Sequence, residues 1–204
     1  MFLDGGVDSK VRCSFRPAGS RAVSQTAAEP ARLWLAERGG VAVCGVGEAE
    51  LLKGPLVAFF ASRQCPGMAI RMGTEWALQQ ARKGVVLVGG FHSPLEQSAL
   101  RLVLEAGGSA VVVLARSVAS ASLHSAWRDA LTAGKMAVVS ASATTHRLTA
   151  QAASDRNELA ARLADRIVMA YASPGGQLSR QAERWRIDGL VVESIALANA
   201  RLDE

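Results

Sequence analysis

Five short apolar runs, each followed by a small or polar loop and then by residues with helical spacing, constrain this chain more than any other feature. Residues 56–60 lead into Ala61, Ser62 and Arg63, and residues 85–88 into Gly89, Gly90, Phe91, His92 and Ser93. Residues 110–114 lead into Ala115, Arg116 and Ser117, residues 137–139 into Ser140, Ala141 and Ser142, and residues 167–171 into Ala172, Ser173, Pro174, Gly175 and Gly176. Strands alternating with helical stretches make βαβ units and a parallel sheet. Ligands of such sheets bind beyond the carboxyl ends of the strands, so the five loops are expected to converge on one site.

The helices of this pattern are expected at residues 67–82, 94–106, 123–133, 149–165 and 177–185. Residues 1–28 mix Gly, Ser, Arg and Asp without apolar periodicity and read as a flexible N-terminal extension. Residues 29–204 then form a single domain. Glu29 and Pro30 give a helix start signal ahead of Leu33 and Leu35, and Gly39-Gly40 a stop. A small strand follows at residues 41–44, a sixth main strand at 189–192, and a closing helix from Glu193 to Leu202.

Composition narrows the function classes. A chain of 204 residues with a formal charge of +5 mildly favours an anionic partner. Cys13, Cys44 and Cys65 have no CxxC or Cys/His spacing, which argues against a disulfide framework or a zinc site and for a reducing, cytoplasmic setting. No run reaches the roughly 18 apolar residues of a membrane helix, so no membrane partner is expected. The sequence also lacks GxSxG, HExxH and GxxxxGK[ST] motifs. Gly45-Val46-Gly47 has Glu50 where a dinucleotide fingerprint needs its third glycine, and no cofactor is called for. The tryptophans, Trp34, Trp76, Trp127 and Trp185, are too scattered for a stacking platform and read as packing anchors.

The loops carry the candidate site. Ser62 and Arg63 precede a helix whose first N–H groups favour an anion, with a plain surface turn as the alternative. Gly89 and Gly90 remove side chains where a phosphate could approach, and His92 sits at the loop apex. Ser93 and Glu96 with Pro94 between them spell a capping box, a structural role for Glu96. Arg116 offers a second cation, and residues 140–146 form a hydroxyl-rich loop suited to a ribose or phosphate, with His146 and Arg147 adding positive charge. Arg156 and Asn157 sit on a helix whose apolar line runs through Leu159 and Leu163, and are read either as solvated residues or as a phosphate- and base-contacting pair. Gly175 and Gly176 open a further helix start.

Four of these stretches together resemble the DprA/Smf family of DNA-processing proteins. Ala61-Ser62-Arg63 is similar to its GSR turn, Val88-Gly89-Gly90-Phe91 to its SGxA loop, Arg156-Asn157 to its RN pair, and Gly175-Gly176-Gln177-Leu178 to its SGSL turn. The likeness covers residues 51–183. Ala61 replaces the first glycine of GSR, and His92-Ser93-Pro94 stands in place of the family's GID continuation, as in a compact subgroup with a GFHSP-type loop.

The resemblance implies a three-layer, Rossmann-like α/β fold with a mainly parallel sheet flanked by helices. It implies binding of a nucleotide or single-stranded DNA in DNA processing or recombination, a recombinase partner and a homodimer. The binding set is then Ser62, Arg63, Gly89, Gly90, His92, Ser93, Arg116, Arg156, Asn157, Gly175 and Gly176. Two alternatives stand beside it: a nucleoside monophosphate phosphoribohydrolase of the LOG type, and a non-catalytic ligand sensor or oligomeric scaffold. Pro174-Gly175-Gly176 resembles the opening of the LOG motif, but Ala182 occupies its glutamate position. The candidate carboxylate, Glu183, is one residue out of phase, which on a helix turns it about 100° away.

Overall fold

The computed structural model describes residues 33–141 and 149–195. The extension expected over residues 1–28, the loop around His146 and Arg147, and most of the closing helix lie outside them. The short helix expected before Gly39-Gly40 is instead a strand. β1 (Trp34–Arg38) pairs antiparallel with β2 (Val41–Gly47), with Arg38 opposite Val41. Gly39 and Gly40 take φ of +60° and +70°, the two left-handed positions of a tight hairpin turn. Alternating burial from Trp34 to Arg38 has the period of a strand, and that period overrides the start signal at Glu29 and Pro30.

The parallel strands are β3 (Leu56–Ala61), β4 (Val86–Gly89), β5 (Ala110–Val113), β6 (Met136–Ser140), β7 (Arg166–Tyr171) and β8 (Val192–Ser194). All eight strands form one sheet in the order β1-β2-β6-β5-β4-β3-β7-β8, and β2 runs antiparallel to β6. Glu193, expected to open the last helix, lies inside β8, where its carboxylate takes an Arg166 guanidinium N–H at 3.0 Å. From β3 the chain winds outward through β4, β5 and β6, then crosses back to place β7 on the other side of β3. The reversal of direction between β3 and β7 is the position at which open α/β sheets form their binding crevice.

Five α-helices cover the described sheet. They are α1 (Gly67–Arg82), α2 (Pro94–Glu105), α3 (Arg128–Thr132), α4 (Ala150–Leu163) and α5 (Gln177–Ile187). The single helix expected over residues 123–133 is divided into a 3₁₀ turn, Ser125–Trp127, and α3. His124 accepts the Ala126 N–H on its ring Nδ1 at 3.2 Å, a local bond that starts the turn there.

The sheet separates two apolar cores. α1 and α2 pack on one face with Phe59, Leu87 and Val112, while α4 and α5 pack on the other with Phe60, Val88 and Val111. Adjacent residues of β3 therefore serve opposite layers. Phe59 stacks on Trp76 of α1 at 5.6 Å between ring centroids, and Phe60 on Trp185 of α5 at 5.0 Å. Such ring pairs contribute about 1 kcal/mol each beyond the area they bury. The Gly45-Val46-Gly47 run also has a packing explanation. A Cβ on Gly45 would fall into the Trp34 ring, and one on Gly47 onto the Met136 carbonyl.

Candidate anion-binding crevice

The loops after β3 and β7 are tied together beyond the strand ends. Ser62 donates its N–H to the Tyr171 carbonyl at 2.9 Å, and its hydroxyl accepts the Ser173 N–H at 2.9 Å. Ser62 is thus a bridge across the crevice floor, and leaves the neighbouring Arg63 exposed at the rim. Cys65 in the same loop donates its thiol to the Ser62 carbonyl at 3.1 Å. Burial, and secondarily the Glu96 carboxylate, push that thiol's pKa up, which keeps it protonated.

The loop after β4 is fastened by one carboxylate. Glu96 forms the expected capping box with Ser93, whose hydroxyl accepts the Glu96 N–H at 3.2 Å. The same carboxylate also accepts the His92 N–H at 2.8 Å and, across 35 residues of sequence, the Ala61 N–H at 2.9 Å. Glu96 therefore staples the end of β3 to the Gly89–Ser93 turn. Its burial raises the carboxyl pKa, while the backbone N–H bonds and the nearby Arg156 act in the opposite direction. The staple holds Phe91 at a φ of +49°, the only positive value outside glycine among the described residues. A bulky residue stays in that region only where its surroundings impose it.

Arg156 packs behind this turn. It is 7% exposed, and a Cβ added to Gly90 would land on its guanidinium. Gly90 is thus required for the close approach. One Arg156 Nη donates to the Asn157 side-chain oxygen at 3.0 Å, and Asn157 in turn donates to Gln181 at 3.2 Å. The buried Arg156 Nε has no hydrogen-bond partner among the described residues. Burial lowers the Arg156 pKa, partly offset by Glu96. Desolvation, then the charges of Arg156 and Arg63, lower the pKa of the exposed His92, so His92 is neutral at pH 7.

Two helices that start after the crevice strands, α1 and α5, have no side-chain cap, whereas α2 and α4 are capped by Ser93 and Thr149. Uncapped first turns offer N–H groups to an incoming anion. Gly175, at φ +67°, has open space where a Cβ would stand, and Gly176 starts α5. Gly89 has the Phe59 carbonyl 3.2 Å from its would-be Cβ, so it too makes room for the backbone.

The structure groups Arg63, Gly89, Gly90, His92, Ser93 and Arg156 around the β3, β4 and β7 ends, with Ser62, Asn157, Gly175 and Gly176 supporting or flanking them. Arg116 lies apart, past β5, and shares a separate cleft with His92. Glu183 is exposed on α5 and ion-pairs with Arg186 at 3.6 Å. The local sequence shows the Glu96 cap, but nothing local signals its bond to the Ala61 N–H. Among the described residues no cluster of acidic, His or Cys side chains is placed to hold a metal ion, and no helix is long and apolar enough to cross a membrane.

The doubly wound, mainly parallel sheet covered by helices on both faces defines a Rossmann-like α/β protein. The family described as DNA recombination-mediator protein A matches residues 19–180, and the chain belongs to that family. Its fold is similar to the DNA processing protein A structure from Streptococcus pneumoniae, with a TM-score of 0.63, 21% identity, and coverage of 76% of this chain and 54% of that one. It is likewise similar to DNA processing protein A from Helicobacter pylori, with a TM-score of 0.62, 16% identity, and coverage of 75% and 71%. The chain thus spans about half the length of the S. pneumoniae protein. The H. pylori structure is described in terms of that protein's single-stranded DNA binding mode. No curated protein sequence matches the chain.

Proposed function

We propose that this chain binds single-stranded DNA by seating a backbone phosphate at the carboxyl ends of β3, β4 and β7. The observation that carries the reading is the gathering of Arg63, exposed at the rim, and Arg156, whose buried Nε has no hydrogen-bond partner among the described residues, around the Gly89–Ser93 turn. A buried donor of this kind has a large free-energy incentive to take an acceptor. Arg63 adds exposed charge at the rim, the first turns of α1 and α5 add N–H groups, and Asn157 orients Arg156. His92 and Ser93 line the same turn. Membership of the recombination-mediator family and the fold shared with the H. pylori protein support nucleic acid as the source of the phosphate.

A homodimer and the handing of the bound strand to a recombinase extend this reading, with support from the family's description as a mediator of recombination. A cytoplasmic location follows from the same role. Fluorescence anisotropy with a labelled oligonucleotide tests the core of it: affinity should fall steeply as salt rises, because phosphate binding releases counterions. An affinity indifferent to salt, or absent at low salt, would exclude it.

A further inference from the structure

A cleft of about 830 Å³ opens beside the Gly90–His92 turn, between α2 and the segment that follows β5. Leu100 and Leu104 of α2 form one apolar wall, and Leu114, Leu123 and Trp127 the other. Small-molecule sites have this volume and combine such walls with a few placed polar groups. Here the polar groups are out of balance. The charged lining consists of Arg101, Glu105 and Arg116. Arg101 and Glu105 are one helical turn apart, pair with each other at 3.4 Å, and are both more than half exposed, so they cancel in solvent. Arg116 is half-buried and has no hydrogen bond or ion pair among the described residues. Neither histidine of the lining opposes it. His124 accepts the Ala126 N–H on Nδ1, which leaves Nε2 as its donor, and His92 is neutral at pH 7 because burial, then Arg156 and Arg63, lower its pKa. Gln97 is spent on the His92 carbonyl, to which it donates at 3.3 Å. The cleft thus offers apolar walls, one unpaired guanidinium and a ring N–H, and lacks a negatively charged acceptor.

We infer that this cleft takes a small organic acid, an apolar body carrying one carboxylate, and that the bound acid opposes binding at the crevice. The body lies among the leucines and the Trp127 ring, and Arg116 takes the carboxylate, whose two oxygens match the planar fork of a guanidinium. A neutral molecule of the same shape leaves Arg116 without a counter-charge, and a cation is repelled by it. The opposition follows from shared residues. Gly90 and His92 line the cleft and also form the turn that packs against Arg156. A carboxylate beside that turn brings negative charge toward the phosphate seat, so the acid and the nucleic acid weaken each other's binding by the same factor. This opposition rests on the phosphate reading above, whereas the binding of the acid does not.

Calorimetric titration of the full chain with octanoate, and with octanamide as its uncharged counterpart, tests the site. The acid should bind at least about tenfold more tightly than the amide, the difference made by a charge-assisted pair. Arg116→Gln should bring the two affinities within about twofold of each other. Ser122→Trp fills the cleft from an exposed position and should abolish the binding of both. Equal affinities in the unaltered chain, binding of neither compound, or a folded Ser122→Trp protein that still binds octanoate overturns the site. The opposition is read by anisotropy with a labelled oligonucleotide, whose affinity should fall about fivefold at saturating octanoate and stay unchanged by octanoate in the Ser122→Trp protein. An oligonucleotide affinity that octanoate leaves unchanged in the unaltered chain overturns the opposition and leaves the acid site standing. An oligonucleotide that fails to bind even without octanoate overturns the phosphate reading, and the opposition with it.

Discussion

Two arginines at opposite ends of the sheet are built in contrasting ways. Arg38, at the amino ends, donates to the Leu163 carbonyl at 2.6 Å, to the Leu52 and Gly54 carbonyls, and to both Asp165 oxygens at 2.9 and 2.8 Å. Asp165 also accepts the Leu56 N–H at 2.8 Å, so the cluster closes on itself. Arg156, at the carboxyl ends, is more deeply buried, is attracted by Glu96, and among the described residues has one side-chain hydrogen bond and an Nε without one. A guanidinium with every donor used is a clamp; the one proposed above to receive a phosphate keeps a buried donor unused. Both are largely buried and they differ in hydrogen-bond completeness, and it is that difference the phosphate reading uses.

Substitutions can break that comparison, beginning with the largest effect. Arg38→Ala leaves several carbonyls without donors and should cost about 3 kcal/mol of stability in urea unfolding, with oligonucleotide affinity unchanged. Arg156→Ala should weaken oligonucleotide binding at least about thirtyfold, with a smaller loss of stability than Arg38→Ala, because the buried Glu96 loses its nearby cation but only one side-chain hydrogen bond goes with it. Equal effects of the two on stability would collapse the distinction.

Gly90→Ala is the steric counterpart. Its Cβ displaces the Arg156 guanidinium, and binding should fall about tenfold with a stability loss of about 1–2 kcal/mol. Arg63→Ala, at an exposed rim position, should lower affinity only modestly and reduce the slope of log affinity against log salt by about one.

The smallest expected effect is on pH. His92 has a pKa lowered by burial and by the charges of Arg156 and Arg63, while its backbone N–H is held by the Glu96 carboxylate. As the pH falls below the ordinary histidine range, the unfolded chain takes up its proton first, so His92 removes stability on acidification. Once His92 is protonated in the folded protein, its charge adds to the crevice. Binding should therefore strengthen by about threefold on acidification, and a His92→Gln protein titrated in parallel should lose that increment.

Much of the scaffold is legible in the sequence, for physical reasons. α1 begins and ends where it is expected, at Gly67 and Arg82, and the parallel strands follow the apolar runs within a residue at most ends. Signals of that kind are local. β1 was hidden because a proline start signal and a glycine pair fit both a helix and a hairpin, and only pairing with β2 decides between them. Glu96 shows its cap within four residues, but its hold on Ala61 depends on the approach of two strands. Arg156 did carry a signal. It stands three and seven residues before Leu159 and Leu163, on the inward stripe of α4, where a solvated arginine does not belong.

Phe59 and Phe60 give β3 a further consequence for how the chain reaches its fold. Because neighbouring side chains of one strand each seat a tryptophan of a different layer, a slip of β3 by one residue would turn both rings to the wrong face. The central strand is thereby locked in register from two sides at once. Trp76 and Trp185 also report separately on the two layers during unfolding, so coincident fluorescence changes in single-tryptophan versions would reveal whether the sandwich opens as one cooperative unit or one layer at a time.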